Sequence, residues 1–223
     1  MAPRAYDRRG RDAAMAAMRE RITAAIADLH AEIGPSRTTY AMVARRADVA
    51  IPTVYKHFPT VAGMFAACIG HVSARTAALT VELFAAAPST AERVARLVPA
   101  LFERHRLFAP WLRWSRHETH LLPDMAVYFT KMRERHVRLI HEALAPTYGA
   151  RPPRTYVALI ETLTQFDAWH TLTDTNGLTS DEAADIVVDT ITAALASRGK
   201  HQAERIKPAT PRRPRRKRAQ VPA

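Results

Sequence analysis

One cysteine, seven glycines and no long apolar run set the first limits on this 223-residue chain. A single thiol, Cys68, excludes an internal disulfide and fits a reducing compartment. Few glycines argue against a strand-rich fold with many tight turns, while plentiful Ala, Leu, Val and Arg favour helices. No apolar stretch approaches the roughly 20 residues of a membrane span. The N-terminal MAPRAYDRRGRDAAM has basic residues but lacks the apolar core of a secretory signal. A cytoplasmic protein with no membrane partner is therefore expected. Acidic residues are also scarce, 21 against 33 Lys and Arg, for a formal charge of +12. In residues 199–223 nine basic residues stand against one acid, so +8 of that charge lies in a tail and +4 in the body. A polyanionic partner fits this balance. There is no Gly-rich phosphate loop, no nucleophile elbow and no HExxH, so neither an enzyme nor a cofactor is expected.

What the chain does contain is helical periodicity. After a basic arm (residues 1–11), Met15, Met18, Ile22, Ala25, Ile26, Leu29 and Ile33 recur at three- and four-residue steps, and Gly34-Pro35 ends the helix. Two short helices follow in residues 38–58, then a longer one expected to run from Thr60 towards Ala87-Pro88. Ser89-Thr90-Ala91-Glu92 has capping-box form and starts the next helix, with Pro110 opening a short aromatic segment, WLRWSRHETHL. Further helices are expected from Asp124 to just before Pro146, over residues 156–173, and from Thr179 to Arg198 with Ile186, Val187 and Ile191 inward. Beyond Arg198 the Pro- and Arg-rich tail has too little apolar content to fold alone. The expected fold is all-α. A three-helix N-terminal unit (residues 12–59) precedes a six-helix unit (60–198), with the tail at 199–223.

The stretch TTYAMVARRADVAIPTVYKHF, residues 38–58, has the chemistry of a helix-turn-helix. Thr38 or Thr39 suits an N-cap, and Tyr40, Val43, Ala44 and Ala47 share one face. After a turn at Asp48, Pro52 sits early in the second helix, where its missing N–H is harmless. Ile51, Val54 and Phe58 are expected to face the core. Thr53, Lys56 and His57 share the opposite face, flanked by Tyr55. A helix entering a major groove needs short or planar polar side chains on one face and a buried face behind it. Thr53 can read a base edge or thymine methyl, and Pro52 can add apolar contact. Lys56 and His57 can reach phosphates or bases, and Tyr55 can reach a phosphate. Thr38 and Thr39 can offer hydroxyls and backbone N–H groups to the DNA backbone.

Taken in order, AEIG at 31–34, Thr38 and Thr39 with Val43-Ala44, Arg45-x-Ala47-x-Val49 and TVYKHFPT at 53–60 resemble the DNA-binding domain of TetR-family transcriptional regulators. The resemblance assigns DNA contacts to the same positions. This chain departs from it at Asp48, where the family usually has Gly, at Ala50, usually Ser, and at Val61, often Lys. The resemblance also implies a C-terminal part that binds a small-molecule effector and dimerises. The candidate effector contacts are Phe102, Trp111, Trp114, His117, Phe129, Met132, Phe166, Trp169 and His170, with ordinary core packing as the competing reading of each. It further implies a homodimer through the last two long helices, about residues 154–197, presenting two reading helices to a two-fold symmetric double-stranded operator. His117 and His120 lie three apart with Glu118 between them, yet no cysteine accompanies them and solvated histidines are the better reading, so no metal is expected. The functional expectation is a repressor released by a small apolar or aromatic ligand. The alternative is a ligand-independent architectural DNA binder that relies on the basic tail.

Overall fold

The structure, a computed structural model, describes residues 8–114, 118, 120, 121 and 123–206, the backbone alone for 8, 9 and 198–206. Residues 1–7, His117 and residues 207–223, which include most of the basic tail, lie outside the described residues. The described residues form an all-α protein of nine α-helices. In chain order these are α1 (Arg8–Ile33), α2 (Tyr40–Ala47), α3 (Ile51–His57), α4 (Val61–Ser73), α5 (Thr90–Leu112), α6 (Pro123–Tyr148), α7 (Arg154–Leu163), α8 (Phe166–His170) and α9 (Ser180–Ile206). None is long and apolar enough to cross a membrane.

Two apolar cores organise them. The N-terminal core joins Ile22, Ile26 and Leu29 of α1 to Val43 and Ala44 of α2, Val54 of α3, Phe58, and Met64, Cys68 and Val72 of α4. The second core joins Val94, Leu97, Val98, Leu101 and Phe102 of α5 to Ile140 and Leu144 of α6, Ile160 of α7, Trp169 of α8 and Ala183, Val187 and Ile191 of α9. The capping boxes form at two helix starts. Ser89 and Glu92 close one at α5, and Thr179 with Glu182 closes the equivalent pair of bonds before α9. The capping bonds hold both carboxyl groups below the usual carboxylate range.

Several boundaries differ from the sequence expectation. The fourth helix stops at Ser73 rather than near Ala87, because Leu79, Leu83 and Phe84 turn away from α4 to cover the second core. Helix α5 runs through Pro110 to Leu112, since a proline removes only one bond of the ladder and Trp111 is anchored to α1 by its indole. Helix α6 likewise passes Pro146 and ends at Tyr148, with Gly149 at φ +65. The helix expected over 156–173 is broken after Leu163, and a wide π-type turn at Thr171–Thr175 follows α8. The break sits on Thr164, whose carbonyl is 3.0 Å from His105 Nε2 and whose hydroxyl donates to the Ile160 carbonyl at 2.6 Å. With that proton placed, His136 Nε2–H donates to the Thr164 oxygen at 2.8 Å. Helix α9 continues past Arg198 to Ile206, and Ile186 faces outward, 52% exposed, not inward as expected.

Candidate nucleic-acid interface

Helix α2 begins at Thr39, whose hydroxyl oxygen accepts from the Met42 N–H at 3.3 Å. A bidentate Arg46–Glu32 pair, both contacts at 2.8 Å, ties α2 to α1 and lowers the Glu32 pKa. Asp48 takes a left-handed conformation, φ 50 and ψ 57, and turns the chain towards α3. Ala50 precedes α3 and offers no side-chain bond to its first turn. The inner side of α3 is anchored by Val54 and Phe58, both fully buried. Arg19 of α1 lies over the Phe58 ring at 4.3 Å and donates to the His57 carbonyl at 2.7 Å, holding the end of α3.

Thr39, Pro52, Tyr55 and Lys56 are exposed, and Thr53 and His57 are half-buried. Tyr55 stacks flat on Tyr40, with ring centroids 3.8 Å apart and planes 10° from parallel. That stack fixes the Tyr55 ring while leaving the side chain at the surface. Two residues sit elsewhere than the sequence suggested. Thr38 is 6% exposed and its hydroxyl donates to the Gly34 carbonyl at 2.9 Å, so it braces the turn into α2. Ile51 is 43% exposed beside Pro52. Its three-residue step to Val54 read as an inward position, but at the first helical residue the side chain lies outside the core. At the start of α4, Thr60 caps the helix by accepting from Gly63 N–H at 3.0 Å, and Val61 brings no charge to the exposed end.

A seam joins this unit to the second half of the chain. Trp111 Nε1 donates to the Ala27 carbonyl at 2.9 Å, and Arg113 Nη2 and Trp114 Nε1 donate to the Ala31 carbonyl at 2.6 and 3.1 Å. The Ser36 N–H donates to the buried Glu118 carboxylate at 2.9 Å. Gly34 passes this carboxylate with φ +86 and ψ 155, and a Cβ there would fall on it. Along the seam lies a cavity of about 50 Å³, bounded by α1, α4, α5 and α6.

Of the candidate effector contacts, Trp111 and Phe129 line this cavity. Trp114 does not; its ring sits under Arg37 and Arg113. Phe102, Phe166 and Trp169 gather instead around the half-buried His105 in the second core, and His170 stacks on Phe166. Met132 is half-buried on α6 away from the cavity wall. The cavity residues that sequence reading missed are chiefly His30 and Phe65. His30 falls outside the apolar period of α1 and Phe65 falls within that of α4, and only the packing of the two halves shows the space between them. Among the described residues, no group of three or more His, Cys, Asp or Glu side chains could hold a metal ion; His120 is exposed. Cys68 lines the cavity too, and burial pushes its thiol up to about 12, so it is an apolar wall group.

Residues 22–68 match the family model described as bacterial regulatory proteins, tetR family. No curated protein matches the chain. Among solved structures, the chain is similar to native NalD, described as the secondary repressor of the MexAB-OprM multidrug efflux pump in Pseudomonas aeruginosa. The two are 19% identical with a TM-score of 0.53, over 80% of this chain and 96% of that one. A TetR transcriptional regulator from Rhodococcus sp. RHA1 aligns at 20% identity with a TM-score of 0.40, over 79% of this chain and 95% of that one. The likeness to NalD is one of fold, and the matched segment covers α2, α3 and the adjoining parts of α1 and α4. Residues 22–68 thus match the tetR-family DNA-binding segment, and the chain as a whole shares the fold of NalD.

Proposed function

We propose that this protein is a homodimeric repressor that reads a two-fold symmetric operator through α3 and leaves it when a small molecule enters the seam cavity. The observation that carries the reading is the seam itself. The α5 end and Glu118 grip the last turns of α1 and the Ser36 backbone, and the cavity lies along that grip. Any ligand that parts α5 and α6 from α1 therefore acts directly on the helix that braces α3.

In this reading Thr53 and Pro52 meet base edges, with exposed Ile51 adding contact to a thymine methyl. Thr39, Tyr55, Lys56 and His57 hold the phosphate backbone. The outer face of α9, with Ile186, Thr190 and Ala193 exposed, joins α7 in covering the same helices of a second subunit. The test is an electrophoretic shift with DNA from upstream of the coding sequence, competed by unrelated DNA. A band that survives competition is expected, and its absence sinks the reading.

A further inference from the structure

The seam cavity has an unusual wall. Most of it is apolar, with Phe65 and Val72 from α4, Phe108 from α5 and Phe129 from α6. Among the described residues, no Lys, Arg, Asp or Glu lines it. Its polar groups are nearly all engaged. The Trp111 indole donates to Ala27, and Ser73 and Tyr128 bond each other. His30 of α1 is the exception. It is 1% exposed, and among the described residues neither ring nitrogen has a hydrogen-bond partner. A neutral imidazole has one N–H and one lone pair to satisfy, and leaving them unmet in an apolar setting is costly. Burial pushes the His30 pKa down to about 4, so the ring is neutral at physiological pH. An ionised ligand would find no counter-charge here, whereas a neutral one with a single polar group would find both a partner and aromatic walls.

We propose that this cavity takes a small neutral aromatic molecule bearing one hydroxyl or carbonyl group, with the His30 imidazole as its hydrogen-bonding partner. The proposal rests on the reading of the cavity as the effector site and names the ligand chemistry that site selects. The cavity of about 50 Å³ is smaller than the roughly 150 Å³ that takes up benzene in an engineered core. Entry therefore moves the walls. Because His30 sits on α1 and the aromatic rings sit on α4, α5 and α6, the ligand holds one half of the protein while displacing the other.

The experiment uses the full-length protein without DNA and two probes of similar size, phenol and toluene. Affinity is read from tryptophan fluorescence, and the His30 ring nitrogens from the spectrum of ¹⁵N-histidine-labelled wild type. Phenol is expected to bind wild type roughly tenfold more tightly than toluene, since its hydroxyl gains a hydrogen bond. His30→Leu should invert the order, because the hydroxyl would then be buried without a partner. Phenol should also shift the His30 ring resonances, a readout that needs only wild-type protein if the variant does not fold. Toluene binding as well as phenol to wild type, an unchanged preference in the variant, or unmoved His30 resonances would each overturn the proposal. The gel shift reports separately on the regulator reading. Phenol binding without a specific DNA band upholds the ligand site and defeats only the operator.

Discussion

At the scale of single residues, the backbone at Asp48 is the clearest departure from ease. A non-glycine residue at φ 50 costs about 1 kcal/mol, and aspartate bears it better than most. Asp48→Gly is thus expected to raise unfolding stability by about 0.5–1 kcal/mol in a denaturant titration. Lys56 is exposed on α3. Lys56→Ala should weaken DNA binding on all sequences and reduce the slope of log affinity against log salt by about 1, while Thr53→Ala should change which sequences bind. Buried histidines add a pH dependence. Burial holds both His30 and His105 near 4 when folded, whereas an unfolded histidine titrates near 6.5. As pH falls, the unfolded chain takes up protons first. The stability these rings leave intact above about pH 6.5 is therefore lost progressively towards pH 4, by about 2–3 kcal/mol for each. Chemical melts at pH 7.5 and 4.5 should show this loss, and His30→Leu should show a smaller one.

Elements tell how far sequence can be read. The two capping boxes were legible because their chemistry is local: a hydroxyl and a carboxylate three residues apart satisfy the first turn wherever it lies. Ser89→Ala should cost about 1 kcal/mol of stability in the same assay. The pair α2 and α3 was legible for the same reason, since turn, caps and inward residues all fall within residues 38–58. What escaped was set by distant partners. Nothing local ends α4 at Ser73; the demand comes from Leu79, Leu83 and Phe84 covering a different core. Thr164 breaks its helix because His105 and His136, far away in sequence, bond to it. Ile186 fits the inward period of α9 well enough to mislead, and only the path of α9 along α5 leaves it outside. Of the residues proposed to read DNA, Thr39, Pro52, Tyr55 and Lys56 lie at the surface, Thr53 and His57 are half-buried and Thr38 is buried, whereas the effector candidates are scattered. A single helix defines the former, while at least four helices meet to define a cavity.

For the whole molecule, the relation between its halves is the informative quantity. Gly34 lies where they meet, in a conformation that only glycine adopts readily. Gly34→Ala should cost about 1–3 kcal/mol and also displace Glu118, so it should lower operator affinity without touching α3. A gel-shift titration beside a denaturant melt separates the two effects. The positive charge is also a property of the whole. Most of it resides in residues 199–223. Removing residues 207–223 should reduce binding to unrelated DNA far more than the preference for a specific site, read as the ratio of the two affinities at fixed salt.

The Ala31 carbonyl belongs to the last turn of α1, where no later residue of the helix can reach it. It is met instead by Arg113 and Trp114, and the Ile33 carbonyl by Arg37, whose guanidinium also lies on Trp114. The second half of the protein therefore serves as the C-terminal cap of α1, with a guanidinium against the negative end of the helix dipole. In the proposed release mechanism, parting the seam uncaps α1, and the message would reach the DNA as fraying of a helix end beneath α2 and α3. Amide hydrogen exchange at residues 31–36 would register it first, before any change in the reading helix itself.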